Sequence, residues 1–198
     1  AYRESLRLDS AFTDAYVNLG FLYLKKEDYE EALACFQKVI ELEGNKPEAY
    51  NNLGYVYEKM ERFGSAKQMY ERTLQLDPSD LEAMINIAHI EDLEGNYHSA
   101  VSRYKKAIEA APNEASPHFL LAVVYDRHDM FDEALAEYEA TLKINPYHVK
   151  ALFNKGNLYA QEGDYKEAII CYKRALVLDP DDTASWNNLG SIYEDMGD

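Results

Sequence analysis

Tyr50-Asn51-Asn52-Leu53-Gly54 is a segment that recurs along the chain at multiples of 34 residues. Tyr16-Val17-Asn18-Leu19-Gly20 lies one period before it, and Trp186-Asn187-Asn188-Leu189-Gly190 lies four periods after it. Related segments begin at the intervening positions Met84, His118 and Leu152. A fixed period between 20 and 50 residues is typical of repeat architectures. The sequence therefore predicts 34-residue repeats that begin at Thr13, Pro47, Leu81, Ala115, Val149 and Thr183.

Within each repeat, the apolar residues have helical spacing. Tyr16, Leu19 and Tyr23 lie at i, i+3 and i+7, which places them on one face of a first helix. A second helix follows a turn at Glu27-Asp28. Proline cannot continue a helix interior, and prolines recur at the end of the second helix: Pro78, Pro112, Pro146 and Pro180. The spacing predicts an all-α fold of antiparallel helix pairs.

Small residues and tyrosines form the framework of these helix pairs. The middle of each first helix carries Gly or Ala: Gly20, Gly54, Ala88, Ala122, Gly156 and Gly190. Glycine costs a helix about 1 kcal/mol relative to alanine, so its recurrence indicates that the helices approach closely here. Fifteen of the 17 tyrosines fall on four recurring positions, which assigns the tyrosine excess to packing.

This pattern of an aromatic residue, Leu-Gly, Tyr, Ala, an aromatic residue and Pro resembles the tetratricopeptide repeat. The resemblance covers the chain as one array over 1–198, with five full repeats and a half repeat at each end. It implies a right-handed α-solenoid superhelix whose first helices line a concave groove that binds an extended or helical partner segment. Residues 1–12 match the end of a preceding second helix, and Gly197-Asp198 match the turn after a first helix. We therefore expect an excerpt of a longer array.

The composition excludes several classes of function. The 198 residues are 47% hydrophobic and include 20 basic and 36 acidic side chains, for a net charge of −16. This charge disfavours nucleic acid and anionic membranes as partners. No apolar run could span a bilayer and no signal peptide is visible, so we expect a cytoplasmic location. The sequence lacks phosphate-loop, metal-ligand and nucleophile motifs, so we expect no enzyme activity, no metal and no cofactor in this segment.

Asparagine occupies the sixth position of five of the six repeats. The residues are Asn18, Asn52, Asn86, Asn154 and Asn188, and Leu120 stands in the remaining repeat. An amide both donates and accepts hydrogen bonds, so this row could bind the backbone of an extended peptide. The row is similar to the asparagine ladder in the repeat arm of the protein O-linked N-acetylglucosamine transferases. The alternative, that these residues are repeat consensus and bond locally, stays open.

Apolar positions beside the row are candidate pockets for partner side chains. They are Phe21, Tyr55, Ile85, Phe119 and Phe153. His89, with Asp92 one turn on, is a further candidate ligand contact. Some of these side chains could instead pack against the adjacent repeat. The groove positions are mostly acidic and lack the lysines with which chaperone-adaptor relatives clamp an acidic tail, so we expect a neutral or basic protein or peptide partner.

Three hypotheses follow for function. The first is a non-catalytic protein-interaction scaffold that holds a partner segment in its groove. The second is the substrate-recruiting arm of a larger enzyme, such as an O-linked N-acetylglucosamine transferase. The third is a self-associating module whose open repeat ends stack on one another.

Glu91 departs from the framework pattern. Glu91 stands where the other five repeats have tyrosine: Tyr23, Tyr57, Tyr125, Tyr159 and Tyr193. We expect Glu91 either to loosen the packing near the third repeat or to pair with a cation that the sequence does not identify.

Overall fold

The computed structural model describes residues 13–197, and this part of the chain contains eleven α-helices and no β-strand. The helices are α1 (Thr13–Lys25), α2 (Tyr29–Glu43), α3 (Pro47–Lys59), α4 (Phe63–Leu76), α5 (Leu81–Leu93), α6 (Tyr97–Ala110), α7 (Ala115–Arg127), α8 (Phe131–Ile144), α9 (Val149–Gln161), α10 (Tyr165–Leu178) and α11 (Thr183–Met196). The all-α helical-repeat prediction is confirmed. The half repeat expected at 1–12 lies outside the described residues.

The chain divides into two compact units, unit 1 over residues 1–103 and unit 2 over residues 104–198. In unit 1, α1 packs on α2, α2 on α3, α3 on α4 and α4 on α5. In unit 2 the same order holds from α7 through α8, α9 and α10 to α11. Each of these helices therefore packs mainly against its neighbours in the sequence, as expected for helical repeats.

The helices begin and end where the local chemistry requires. α4, α6, α8 and α10 all end shortly before the recurring prolines, and α2 ends before Gly44, which has a φ of +71°. At the N-terminal ends of α5 and α11, the carboxylates of Asp80 and Asp182 accept hydrogen bonds from the backbone N–H groups of Ala83 and Ser185. Such capping satisfies helix donors that have no partner within the helix.

An aromatic ring of each second helix forms the centre of its repeat. These rings are fully buried or nearly so: Phe36, Tyr70, Tyr104, Tyr138 and Tyr172. A Cβ atom built on Gly20, Gly54 or Gly156 would lie only 2.7–2.8 Å from the ring that packs on it. Glycine at these positions therefore permits the close approach of the two helices.

The turn after each first helix contains one residue in the left-handed region. At this position φ lies between 57° and 79° in all six repeats: Glu27, Glu61, Gly95, Asp129, Gly163 and Gly197. A left-handed backbone costs a residue with a Cβ atom about 1–2 kcal/mol, because the Cβ atom approaches the following carbonyl oxygen. Glu27, Glu61 and Asp129 are therefore strained.

We expect Glu61→Gly to raise the free energy of unfolding by about 0.5–1 kcal/mol. Glycine removes the strain, although it also increases the conformational entropy of the unfolded chain. Chemical denaturation followed by circular dichroism measures the change. Glu162→Gly is the matched control, because Glu162 is an exposed turn residue with a φ of −76°; it should lose stability. Equal losses in both variants would contradict the assignment of strain to Glu61.

Candidate functional site

Seven of the predicted binding residues lie on the first helices of unit 1. They are Asn18, Phe21, Asn52, Tyr55, Ile85, Asn86 and His89, and we call the surface that they form the first-helix face of unit 1. A pocket between α1 and α3 is lined by Asp14 and Val17 of α1 and by Asn52 of α3. α5 contacts α3 on the same surface, because Nδ1 of His89 lies 3.6 Å from Oε1 of Glu58.

The asparagines on this face differ in what they bind. Asn18 is exposed, and its Nδ2 atom donates to the carbonyl oxygen of Asp14 in the same helix at 2.8 Å. Asn52 and Asn86 are half-buried. Within residues 13–197, neither of these two amides has a hydrogen-bond partner. Asn52 and Asn86 therefore keep their donors and acceptors available for a bound molecule.

In unit 2, the asparagines at this repeat position donate hydrogen bonds to other side chains of the protein. Nδ2 of Asn154 donates to Oη of Tyr138 at 3.0 Å. Nδ2 of Asn188 donates to Oδ1 of Asn157 at 2.8 Å and approaches Oη of Tyr172 at 3.3 Å. Unlike Asn52 and Asn86, these two amides therefore already use N–H donors within the protein.

The buried tyrosines reach the first-helix faces through their hydroxyl groups. Oη of Tyr70 donates to Oε2 of Glu58 at 3.0 Å, and Oη of Tyr138 donates to Oδ2 of Asp126 at 3.2 Å. Glu58 and Asp126 occupy the same position in their repeats. These two carboxylates therefore serve as hydrogen-bond acceptors for the core, a role that the sequence analysis missed.

Two repeats have no acidic residue at the position of Glu58 and Asp126, and each avoids a buried hydroxyl group without an acceptor in its own way. In the repeat with Ala160 there, Oη of Tyr172 donates to Oδ1 of Asn157 at 2.7 Å instead. In the first repeat the position is Leu24, and the buried ring is Phe36, which has no hydroxyl group. A buried hydroxyl without an acceptor is costly, so a ring without an acidic residue at this position either lacks the hydroxyl group, as Phe36 does, or donates to another acceptor, as Tyr172 does.

The electrostatics of Glu58 follow from these contacts. Burial alone would raise the pKa of Glu58, but the nearby His89 ring and the hydrogen bond from Tyr70 lower this pKa below its usual value. Burial, together with the Glu58 charge, raises the pKa of Tyr70. Glu58 is therefore negatively charged at neutral pH, and Tyr70 stays protonated and can donate.

The predicted aromatic contacts are more exposed in unit 1 than in unit 2. Phe21 is 46% exposed, although its ring also packs edge-to-face on Phe36 with the ring centroids 5.4 Å apart. Tyr55 is 40% exposed, and Nζ of Lys59 lies 4.9 Å from the centroid of its ring. The half-buried Ile85 adds apolar surface on α5. Phe21 and Tyr55 thus offer open ring surface for a partner side chain.

In unit 2 the predicted aromatic contacts, Phe119 and Phe153, are half-buried and pack within the protein. The centroid of the Phe119 ring lies 4.5 Å from that of His148. The centroid of the Phe153 ring lies 5.9 Å from that of Tyr172. These two rings therefore offer less free surface than Phe21 and Tyr55.

Glu91 has the cation partners that the sequence did not identify. Its side chain is 3% exposed, and its two carboxylate oxygens lie 3.0 Å from Nζ of Lys67 and 3.0 Å from Nε of Arg103. Burial alone would raise the pKa of Glu91, but hydrogen bonds from Lys67, Ser99 and Arg103 lower it below the usual value. Of the two expectations for Glu91, pairing with a cation is the one that the geometry supports.

Asn51 is a further candidate that the sequence analysis did not select. Its residue is 7% exposed, and its Oδ1 atom is buried without a hydrogen-bond partner in the described part of the chain. Buried polar atoms nearly always have a partner. The same position is apolar in four other repeats: Val17, Ile85, Phe119 and Phe153. The sequence signal that could have identified Asn51 is a polar residue at a position that is apolar in most repeats.

Residues 13–197 contain no cluster of three or more His, Cys, Asp or Glu side chains that could hold a metal ion. Over the same range, every helix is too short or too polar to span a membrane.

Comparisons with known families match this chain over residues 12–197. A family described as "Tetratricopeptide repeat" matches residues 12–79 and 48–113. Two further families with the same description match residues 137–170 and 94–148. A family described as "TPR repeat" matches residues 156–197. None of the curated proteins compared with the chain matches it.

Several solved structures are similar to this one. YrrB, described as "a TPR protein with an unusual peptide-binding site", is 23% identical, with 95% of this chain and 97% of that chain covered and a TM-score of 0.64. MamA is 25% identical, with 85% and 92% covered and a TM-score of 0.68. PilF from Pseudomonas aeruginosa is 21% identical, with 96% and 87% covered and a TM-score of 0.80. These similarities show a shared helical-repeat fold.

Proposed function

Because the chain belongs to the tetratricopeptide repeat family, we propose that it is a non-catalytic scaffold that binds an extended segment of a partner protein. The proposed binding site is the first-helix face of unit 1 without Asn18, whose amide already donates to the carbonyl oxygen of Asp14. The observation that carries this proposal is the pair of amides, Asn52 and Asn86, that have no hydrogen-bond partner among the described residues.

The two amides favour an extended partner over a helical one. The backbone N–H and C=O groups of a helix are engaged within that helix, whereas those of an extended segment are free to pair. Asn52 and Asn86 hold the same position on successive first helices. Each amide can donate to one backbone carbonyl and accept from one N–H group, so the pair binds main chain without selecting sequence.

The surroundings of the amides supply the remaining parts of a binding surface. The exposed rings of Phe21 and Tyr55 can anchor apolar or aromatic side chains, which typically dominate binding energy at interfaces. Glu58 is charged, and Glu48 and Glu82 are exposed carboxylates near the amides in sequence. With a net charge of −16 for the whole chain, this face favours a neutral or basic segment over an acidic one.

We expect the double variant Asn52→Ala/Asn86→Ala to bind peptides roughly five- to a hundredfold more weakly than the wild-type protein. Each lost hydrogen bond removes about 0.5–1.5 kcal/mol. The measurement uses peptides that the wild-type protein enriches from a random linear library, with Kd determined by fluorescence anisotropy. Circular dichroism verifies that the variant is folded.

Asn18→Ala is the matched control for this experiment. Asn18 holds the same repeat position, but its amide already bonds to the carbonyl oxygen of Asp14. Asn18→Ala should therefore leave Kd nearly unchanged. The proposal fails if no peptide is enriched, if the double variant retains full affinity, or if Asn18→Ala weakens binding as much as the double variant does.

A further inference from the structure

A cavity of about 530 Å³ lies between α8 and α9 of unit 2. It is lined by the turn before α8, the first residues of α8, the end of α9 and the turn after α9. None of the binding residues predicted from the sequence lines it. Ligand pockets typically measure roughly 300–1,000 Å³, so this cavity is large enough to receive a side chain of a partner.

The lining of the cavity combines apolar side chains with carboxylates. The apolar and aromatic residues are Met130, Phe131, Leu135, Leu158 and Tyr159. The acidic residues are Asp129, Asp132, Glu133, Glu162 and Asp164. All five acidic residues are exposed, so a ligand can reach them from solvent. A cleft that has apolar walls and charges of one sign concentrates ions of the opposite sign, and this cavity therefore favours a cation.

The carboxylates of the cavity have no cation of their own. Within residues 13–197, the side chains of Asp129, Asp132, Glu133 and Glu162 have no ion-pair or hydrogen-bond partner. Asp164 accepts a hydrogen bond from the backbone N–H of Glu167 at the start of α10. No lysine, arginine or histidine lines the cavity.

Lys155 lies beside the cavity but is engaged elsewhere. Its Nζ atom is 5.4 Å from the centroid of the Tyr159 ring. The same atom lies 2.8 Å from Oε1 of Glu139, which is not part of the lining. Lys155 therefore already has a carboxylate partner outside the cavity.

Three periods earlier in the chain, an arginine of the protein occupies the equivalent place. Asp132 corresponds to Glu30 there, and Asp164 corresponds to Arg62. Nη2 of Arg62 lies 3.2 Å from Oε1 of Glu30. In that pair of repeats, the protein itself therefore supplies the guanidinium group that the cavity of unit 2 lacks.

Two other equivalent places also contain a cation. Two periods earlier, Leu135 and Tyr159 correspond to Lys67 and Glu91, which form an ion pair at 3.0 Å. One period later, Lys166 holds the position of an aspartate of the cavity. Among these equivalent places, the cavity between α8 and α9 is the one whose residues include no lysine or arginine.

We propose that this cavity binds an arginine side chain of a partner protein, whose guanidinium group pairs with Asp132 as Arg62 pairs with Glu30. The aliphatic stem of the arginine packs on the apolar lining. The guanidinium group also stacks on aromatic rings such as that of Tyr159, and its planar fork binds carboxylates better than an ammonium group does. This docking site is additional to the first-helix face of unit 1 and does not rest on the proposed function.

The test selects peptides that bind at this cavity. A random linear peptide library is enriched on the wild-type protein and depleted on Asp164→Arg, which introduces the side chain that Arg62 provides three periods earlier. We expect this variant to fold with a Tm within about 4 °C of the wild-type value, because Arg62 holds the equivalent position before α4 without a side-chain cap. If the variant does not fold, Asp132→Asn/Glu162→Gln replaces it in the depletion step, since it keeps the hydrogen bond of Asp164 to Glu167.

The selected peptides should contain an arginine on which binding depends. Replacing this arginine by citrulline keeps its shape and removes its charge, and should weaken binding to the wild-type protein about fivefold or more. On Asp132→Asn/Glu162→Gln, the same replacement should change Kd less than twofold. With ¹³C-methyl methionine, the peptide should shift the NMR signal of Met130 in the cavity and leave that of Met84 on α5 unchanged.

Asp181→Arg is the matched control. It makes the same change of charge at an exposed residue outside the cavity, and it should retain the affinity of the wild-type protein. The variant Asn52→Ala/Asn86→Ala should also retain this affinity, because its substitutions lie on the first-helix face of unit 1.

Four outcomes overturn the inference. No peptide could distinguish the wild-type protein from the depletion variant, or citrulline could bind as well as arginine. Asp181→Arg could weaken binding as much as Asp164→Arg, which would reduce the effect to overall charge. Finally, the selected peptides could depend on Asn52 and Asn86 and leave the Met130 signal unchanged, which would assign them to the first-helix face; the proposed function would then stand without this inference.

Discussion

Glu91→Ala is expected to lower the free energy of unfolding by about 3 kcal/mol. Removing one partner of a buried ion pair typically costs about 3–5 kcal/mol, because the remaining charge is left without compensation. In this protein the remaining charges belong to Lys67 and Arg103, whose side chains are 28% and 30% exposed. Partial hydration of these two cations places the expected cost at the lower end of that range.

Urea denaturation at neutral pH measures this loss. Glu94→Ala is the matched control, since Glu94 is an exposed glutamate just after α5 and should cost less than about 0.5 kcal/mol. Glu91→Gln should be intermediate, because it keeps the volume and loses the charge. Equal stability of Glu91→Ala and Glu94→Ala would show that the ion pairs of Glu91 contribute nothing.

The contribution of Glu91 to the free energy of unfolding should also depend on pH. The pKa of Glu91 is lower in the folded protein than its usual value. The stabilisation is therefore fully present above the usual glutamate pKa of about 4.3, and it is lost as the pH falls through the lower folded-state pKa. The difference in stability between the wild-type protein and Glu91→Gln should shrink on acidification over this range.

Tyr138→Ala is expected to lower the free energy of unfolding by about 3–5 kcal/mol, the usual cost of removing a buried aromatic ring. The Tyr138 ring is fully buried and has its centroid 6.1 Å from that of Phe119. Tyr138→Phe keeps the ring and loses the hydrogen bonds to Asp126 and Asn154. Because both partners are half-buried and can reach water, this second variant should lose only about 1–2 kcal/mol.

Urea denaturation of both variants separates the contribution of the ring from that of its hydroxyl group. Tyr147→Ala is the control, because Tyr147 is 74% exposed and should change stability by less than about 0.5 kcal/mol. If Tyr138→Phe were as unstable as Tyr138→Ala, the hydroxyl network would dominate and the cavity argument would be wrong.

The sequence was sufficient for the fold because each signal recurs. The prolines, the small residues and the aromatic rings return every 34 residues, and each acts on its local helix pair. The positions that differ between repeats were harder to interpret. Asn154 bonds to Tyr138 of the preceding repeat. The residue equivalent to Tyr138 is Phe36 for Asn52, which has no hydroxyl group, and Tyr70 for Asn86. Tyr70 donates to Glu58, and whether Asn86 also bonds to its hydroxyl group depends on side-chain distances that a repeat pattern does not contain.

Glu91 and Asn51 are two residues whose surroundings the repeat pattern did not predict. In the sequence, Glu91 only interrupts the repeat pattern. In the structure it pairs with Lys67 and Arg103, which lie on two different second helices. In the sequence, Asn51 is one of several residue types at its repeat position. Only the structure shows that its Oδ1 atom is buried without a hydrogen-bond partner among the described residues. The partners of Glu91 lie on α4 and α6, the helices on either side of α5 in the sequence, but the repeat pattern does not show which side chains meet between neighbouring helices.

The hydrogen bonds of the buried tyrosines bear on how such an array can grow by gene duplication. Tyr70 and Glu58 belong to one repeat, and so do Tyr138 and Asp126. A copied 34-residue unit therefore carries both halves of this bond to its new location. The ion pairs of Glu91 behave differently, because Lys67 belongs to the preceding repeat. Excising residues 47–80 would bring Leu33 to the position of Lys67, so the third repeat would lose one of the two cations that neutralise its buried Glu91.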